Sequence, residues 1–560
     1  MSQKVWKYLK VLLILGSLFA AVKLIFVDYT MDEEYQIMMG YRLLQGDTLF
    51  GTMWEPHQTS GFLCAVLMRL FVAFTGSLTG VVIFLRFCAT LFHFGLAIWI
   101  YRVLKDYVQE KYAFLLSVCY FNMIPKLIPI PEFSNMQIWL FTIMILAVLR
   151  FAKDFKKRWL IVCGVAMSLE VLAYPACLLL FPFLCIAVGC MGKRQGRWKD
   201  IMIVVIVCAI CAAIWLFTVL SKISVDEFIR NLKQILSFDA THSLNAMTES
   251  KTQLLNSGML ELLLLTVLIF LFSAGICFLI KRKVESQTVA VIAVWVAEIV
   301  QLFYWVVLRE GYEKPQITIV ILMLAPILVW RDSGEVRRLF LPGWIGSALA
   351  MLAVLYMSDM GIWNAIPTGI LGALWGVIFL ISAVNKRNTE HSNAIVYVLI
   401  ISLCVLSIFG KGFIVKAGRT PTNSILGIRN VIEEGPAKGI FTHYMLGYVM
   451  NSDYEDIRAN VEEGAKCLIV TNMVDAAGTT PYMFGEYEVC HFSVIDPTTY
   501  DERLLVYWNQ YPEKQPEVIA VDCWYGQLME KEDSWIMQYI ENEFGYQEVV
   551  DGKYLRFYKR

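Results

Sequence analysis

The 560-residue chain is 58% hydrophobic and 17% charged, with a mean hydropathy of +0.58; these shares exceed those of a soluble domain and point to a polytopic membrane protein. Its 48 basic and 48 acidic residues cancel to a formal charge of zero, which leaves no electrostatic case for nucleic acid as a partner. Three of the 14 cysteines, Cys467, Cys490 and Cys523, lie in the polar tail, so at most one pair forms there and no disulfide framework is implied. The C-x-x-C at Cys208 and Cys211 sits in an apolar run without a second ligand pair, which argues against structural zinc.

The chain opens with Lys4, Lys7 and Lys10 ahead of an apolar run at 11–27. No clear small-residue cleavage site follows, so the segment reads as an uncleaved anchor. Directly after it, residues 27–60 carry Asp28, Asp32, Glu33, Glu34, Asp47, Glu55 and His57. Carboxylates beside a membrane anchor are costly unless they face water, a cation or a partner. Tyr35, Met38, Met39 and Leu43 fall at i, i+3, i+4 and i+8, which predicts an amphipathic helix over 32–45 on the outer face, stopped by Gly46. Asp32, Glu33 and Glu34 then crowd its first turn, where the helix dipole favours anions. A solvated helix start and a functional acid cluster both fit these residues, and Glu34 is expected to turn toward solvent.

Spans of about 20 apolar residues are expected near 11–27, 79–103, 111–130, 134–151, 159–173, 175–191, 201–220, 259–280, 288–308, 315–330, 339–357, 363–384 and 394–410, thirteen in all. The apolar stretch 61–74 is short and contains Arg69, so it is expected to lie at the interface. Alternate loops hold Arg102 and Lys105, Lys153 to Arg158, Lys193 to Lys199, Lys281 to Lys283, Arg331 to Arg338, and Lys386 with Arg387. All fall on one side if the N-terminus is cytoplasmic, as the positive-inside rule requires. A spanning 61–74 would invert every later loop.

Arg86 lies inside the second span, near its outer end; a phosphate or Asp32 is a natural partner, and snorkelling is the other reading. Glu170 and Glu298 are also embedded and receive no role. In the second outer loop Pro129 and Pro131 break the helix and leave Glu132 at the mouth, either as a functional acid or as a helix start. The loop 221–258 predicts an amphipathic cover helix through Val225, Phe228, Ile229, Leu232 and Ile235, with Arg230, Lys233 and His242 either on a solvated face or touching a pyrophosphate. At 308–316, Arg309 and Lys314 flank Tyr312, as phosphate ligands or as interfacial anchors.

From residue 411 the composition turns polar. Strands are expected at 439–442, 466–471, 488–494 and 517–521, helices at 423–434, 454–463, 500–510 and 534–544, and a hairpin about Asp551-Gly552. The reading is therefore a polytopic α-helical membrane body over 1–410 with a small extracytoplasmic α/β domain over 411–560. The tail holds no G-x-G-x-x-G or P-loop.

The run Asp32-Glu33-Glu34-Tyr35 after the first span, followed by Gly46 and then Trp54-Glu55-Pro56-His57, resembles the membrane glycosyltransferases of the C-type fold, above all the protein O-mannosyltransferases and the lipid A aminoarabinose transferases. The resemblance covers about the first third of the chain. It implies an inverting transfer of a sugar from a polyprenyl-phosphate donor to a glycan, lipid or protein acceptor on the outer face of the plasma membrane. It also implies Asp32, Glu33 and Glu132 as catalytic acids, and a cavity lined by Tyr35, Glu55, His57 and Tyr312. Arg86, Arg309 and Lys314 are the donor-phosphate ligands in that reading. A divalent metal shared by Asp32, Glu132 and the phosphate is compatible with it, though no residue pattern demands one. A transporter or flippase of lipid-linked saccharides is the alternative from another class; the absence of an evident internal repeat and the outer-loop position of the acids count against it.

Overall fold

The structure, a computed structural model, describes residues 2–123, 129–193, 195–237, 258–308, 316–330, 335–357, 365–385, 390–415, 425–462, 464–470, 489–493, 502–524 and 526–560. The membrane body runs α1 (Gln3–Phe26), α2 (Met31–Gln45), α3 (Phe62–Thr75), α4 (Val81–Leu104), α5 (Glu110–Asn122), α6 (Phe133–Asp154), α7 (Arg158–Ala173), α8 (Leu180–Met191), α9 (Arg197–Leu220), α10 (Val225–Ser237), α11 (Gly258–Lys281), α12 (Ser286–Phe303), α13 (Gln316–Trp330), α14 (Gly346–Met357), α15 (Ile370–Asn385) and α16 (Glu390–Phe413). Ten helical runs among the described residues are long and apolar enough to cross a bilayer. Each of the thirteen expected segments holds a helix, the shorter ones being α5, α7, Pro175–Met191 and Ile317–Val329. Leu12, Leu15, Ile210, Ile214, Phe217, Leu268 and Leu271 are exposed, as a lipid-facing surface requires.

Gln58–Thr75 also meets the length and apolarity of a span, but the chain's contacts argue against a crossing there. Asp28 N donates to Phe441 O at 2.8 Å, and Gly80 N and Val82 N donate to Gly435 O and Pro436 O at 3.0 and 3.1 Å. The end of α1 and the start of α4 thus touch one stretch of the tail, so the chain between them returns to the side it left. Helix α2 buries Glu33, Glu34, Gln36 and Arg42 and is too polar to be the second crossing. On the opposite side, Asp106 pairs with Arg150 and Lys153 at 3.1 and 2.5 Å, Tyr397 donates to Gln109 at 3.1 Å, and Gln287 donates to Ala383 O at 2.9 Å. The basic connections after α4, α6, α11 and α15 therefore share a face.

The tail unit contains β1 (Ile428–Val431), β2 (Phe441–His443), α17 (Tyr444–Asn460), β3 (Cys467–Val470), α18 (Glu502–Gln510), β4 (Val518–Trp524), β5 (Gln527–Leu528), α19 (Trp535–Tyr539), β6 (Glu548–Asp551) and β7 (Leu555–Lys559). Its main sheet has the order β3-β4-β7-β6, with β3 parallel to β4 and the other neighbours antiparallel. The expected strands at 439–442, 466–471 and 517–521, the two later helices and the terminal hairpin are all present in outline. Three expectations fail. Residues 428–431 form a strand where a helix was read, because Ile432 exchanges backbone bonds with Gly439 and Ile440. Helix α17 starts ten residues before the predicted one. Residues 489–493 are irregular rather than a strand, because their polar groups turn to the first outer loop.

Helix α2 has the predicted extent, and Gly46 closes it in the left-handed conformation that glycine adopts at little cost (φ 103°). It is not an exposed amphipathic helix. Ile37, Met38, Met39 and Tyr41 are buried, and so are Glu33, Arg42 and Glu34, the residue expected to turn toward solvent. Helix α3 covers one side at close range: a Cβ on Gly40 would lie 2.7 Å from Cys64 Cβ and 3.1 Å from Ala65 N. Gln36 also bridges to Ser60, donating to its carbonyl and accepting from its hydroxyl, both at 3.0 Å. Gly40→Ala is therefore expected to destabilise the protein by about 1–3 kcal/mol through overpacking. A lowered thermal midpoint in detergent checks it, with Gly46→Ala, which meets only backbone strain, as the comparison.

Candidate active site

The site grows from two buried guanidinium groups. Arg86, on α4, is 1% exposed. Its Nε and Nη2 donate to Glu33 Oε1 and Oε2 at 2.7 and 2.6 Å. Its Nη1 points at the last carbonyls of α1, those of Leu24, Ile25 and Val27, at 3.3, 3.1 and 3.4 Å, and Nη2 also reaches Asp28 O at 2.5 Å. One side chain thus caps α1 and holds the first turn of α2. Glu33 and the backbone carbonyls at the end of α1 thus engage the Arg86 donors within the protein.

Arg42, which the sequence reading passed over, organises the other end of the outer loop. Its Nε donates to Asp47 Oδ2 at 2.7 Å, Nη1 to Glu55 Oε1 at 3.4 Å, and Nη2 to Thr52 O at 2.7 Å. The tail unit closes over this cluster. Lys514 pairs with Asp47 at 2.8 Å, Tyr507 donates to Thr52 O at 2.8 Å, and the Ser493 hydroxyl donates to Glu55 Oε1. Trp54 N donates to His491 O at 3.0 Å. Burial pushes the Asp47 carboxyl up, but Arg42 and Lys514 outweigh it and hold the group below its ordinary value. For Glu55 burial wins over Arg42 and Ser493, and its carboxyl is pushed up to about 7. Burial, then Arg503 and Arg42, pushes His491 down to about 3, so that imidazole is neutral.

Between these anchors, rings from both outer loops meet. His57 stacks on Phe133 at 4.3 Å and lies 5.2 Å from Tyr174. Tyr35 stacks on Phe492 of the tail unit at 5.5 Å and meets Phe133 edge-on at 6.5 Å. Tyr35, Glu55 and His57 are thus brought together as expected, and with them Phe133, Tyr174 and Phe492, which the sequence did not single out. Thr59 Oγ1 donates to Leu172 O at 2.5 Å and ties the loop to the end of α7.

The other predicted acids divide. Glu132 is 1% exposed and is the N-cap of α6: its oxygens accept from Asn135 N at 3.1 Å and Ser134 Oγ at 2.9 Å. Asp32 lies in the first turn of α2, its side chain outside the described residues. Arg309, Tyr312, Lys314 and His242 also lie outside them. Among the described residues no group of three or more His, Cys, Asp or Glu is arranged to hold a metal. Below the rings, Glu170 accepts from Gln137 at 3.0 Å, and Glu298 accepts from Ser402 at 3.0 Å. Two more buried cations escaped the sequence reading: Lys23 donates to Ile414 O, and Lys411 donates to Phe121 O at 3.0 Å. Helix α10 lies against the loop after α2, with Asn231 donating to Phe50 O at 2.7 Å and Tyr511 donating to Glu227 at 2.6 Å.

No family model and no curated protein matches the sequence. Among solved structures the chain is similar to the Archaeoglobus fulgidus oligosaccharyltransferase in complex with zinc and sulfate, at 11% identity and a TM-score of 0.45, over 91% of this chain and 67% of that one. It is also similar to ArnT from Cupriavidus metallidurans, bound to undecaprenyl phosphate and in the apo state, at 11% identity and TM-scores of 0.44 and 0.43, over 100% of this chain and 98% of that one. These likenesses are of fold, and the chemistry rests on this chain's own residues.

Two outcomes follow from the electrostatics. Removing one partner of a buried ion pair strands the other, so Glu33→Gln and Arg86→Met should each destabilise the protein by about 3–5 kcal/mol, read as a lowered thermal midpoint. The raised Glu55 group contributes stability that is present below an ordinary carboxyl pKa and lost as pH rises through about 7. The thermal midpoint of the wild type should therefore fall more steeply between pH 5 and 8 than that of Glu55→Gln, and parallel curves would contradict the assignment.

Proposed function

We propose that the protein transfers a sugar from a polyprenyl-phosphate donor to a hydroxyl acceptor at the outer membrane mouth, with inversion at the anomeric carbon. The observation that carries this reading is the convergence of Tyr35, Glu55 and His57 from the first outer loop with Glu132 and Phe133 from the second. A lipid donor needs a reaction site at the bilayer edge, and this cluster lies where α1 and α7 end and α4 and α6 begin. The N-terminus is cytoplasmic in this reading, and the tail unit stands outside with the cluster.

Asp32 takes the proton of the acceptor hydroxyl. The freed oxygen attacks the anomeric carbon, the bond from that carbon to the phosphate oxygen breaks, and the lipid phosphate leaves with the electron pair. A carboxylate near its ordinary pKa is ionised at neutral pH, so position rather than tuning makes it a base. Glu33 and Arg86 are positioning residues that fix the turn bearing Asp32, and Glu132 fixes the start of α6. With Arg86 engaged by Glu33 and by backbone carbonyls, Arg309 and Lys314 are the phosphate ligands, and Tyr312 stands between them in the sequence.

Asp32→Asn keeps shape and removes the base, so turnover with a competent donor and acceptor should fall by about a hundred- to ten-thousandfold, with an unchanged thermal midpoint. Arg309→Ala and Lys314→Ala should raise the donor KM instead. Wild-type turnover in Asp32→Asn would leave the reaction without its base.

A further inference from the structure

Glu55 is buried to 0% exposure, and its two oxygens are treated differently. Oε1 accepts from Arg42 Nη1 at 3.4 Å and from the Ser493 hydroxyl. Oε2 has no hydrogen-bond partner among the described residues. A buried carboxyl oxygen without a donor is unfavourable, more so when ionised, and in a native protein it asks for an explanation. Its surroundings narrow the answer. The Tyr35 hydroxyl is close enough to favour the ionised form. The Tyr35 ring lies flat against Phe492 at 5.5 Å and 12°, and both rings are half-buried. His57 and Phe133 present a second stacked pair at 4.3 Å and 6°.

We propose that Glu55, Tyr35 and the tail unit's Phe492 and Ser493 form a carbohydrate-binding subsite, so that the tail unit completes the acceptor side of the site in cis. A pyranose ring offers both kinds of group the subsite lacks: hydroxyl donors at its edge for Glu55 Oε2, and an apolar C–H face for the aromatic rings. Specific pockets pair apolar and aromatic walls with a few placed polar groups in this way. A peptide backbone offers N–H donors but no apolar face of ring size. Ser493 holds Oε1, which leaves Oε2 as the oxygen for the ligand, and Phe492 supplies one wall. The inference rests on the transferase reading for the name acceptor, and on geometry alone for the class of ligand.

The test uses the full chain in lipid nanodiscs and saturation-transfer NMR, irradiating aromatic protons. The probes are methyl glycosides of glucose, mannose and N-acetylglucosamine, and separately a serine-containing tetrapeptide. At least one glycoside should receive saturation. Phe492→Ala should weaken its binding by about tenfold through loss of the ring wall, Glu55→Gln should weaken it by about tenfold or more by turning the acceptor oxygen into a donor, and Phe492→Tyr should retain it. Thermal midpoints of all three variants separate loss of the subsite from loss of the fold. Saturation of the tetrapeptide alone, of no probe, or of glycosides equally in all variants overturns the proposal. Donor cleavage to water, measured on the same samples with a polyprenyl-phosphate sugar, reports the transferase reading separately. Cleavage without glycoside binding removes only the subsite; variant-sensitive binding without cleavage supports the subsite and removes the transferase.

Discussion

A guanidinium inside an apolar bundle is tolerated only when its donors are used, and Arg86 meets that condition. Glu33 takes two of its bonds in a forked geometry, and the carbonyls at the end of α1 take the rest. The pair therefore does more than neutralise a charge. It sets where the first span stops, fixes the direction of α2, and decides which way the acid-rich turn faces. The close packing of α2 on α3 at Gly40 follows from that direction.

The second guanidinium extends the same logic to the tail. Arg42 gathers Asp47, Glu55 and Thr52 into a compact loop, and the tail unit adds Lys514, Tyr507 and Ser493 to it. Polar groups buried at such a contact must find partners, so the contact specifies one docking geometry rather than many. The tail unit thus packs on the loop after α2 rather than standing apart from it. The rings of Tyr35, His57, Phe133, Tyr174 and Phe492 fill the space between the two anchors.

Much of this was legible in the sequence because apolar run length and loop charge are local signals. The thirteen helical segments and the stop at Gly46 are of that kind. The grouping of Tyr35, Glu55 and His57 followed from a short motif. What stayed hidden was set by long-range partners. Glu34, expected in solvent, is buried near Asp453, more than four hundred residues later. Arg42 drew no attention in the sequence because Asp47 and Glu55 reach it only once the loop folds. Arg86 was read as a phosphate ligand because its carbonyl partners leave no trace in the sequence. The strand at 428–431 and the irregular 489–493 were likewise decided by what they pair with, not by propensity.

We propose that a lipid-linked sugar is cleaved and transferred at the mouth where these elements meet. The most direct measurement places the protein in sealed vesicles in one orientation, with a polyprenyl-phosphate sugar labelled in the sugar and present only in the leaflet on the tail's side. The account predicts release of polyprenyl phosphate in step with label appearing on an acceptor added to that side, and no such product when acceptor is supplied only on the other side. Passage of intact labelled donor across the bilayer, with no lipid phosphate released, would contradict it and mark the protein as a carrier of lipid-linked saccharides.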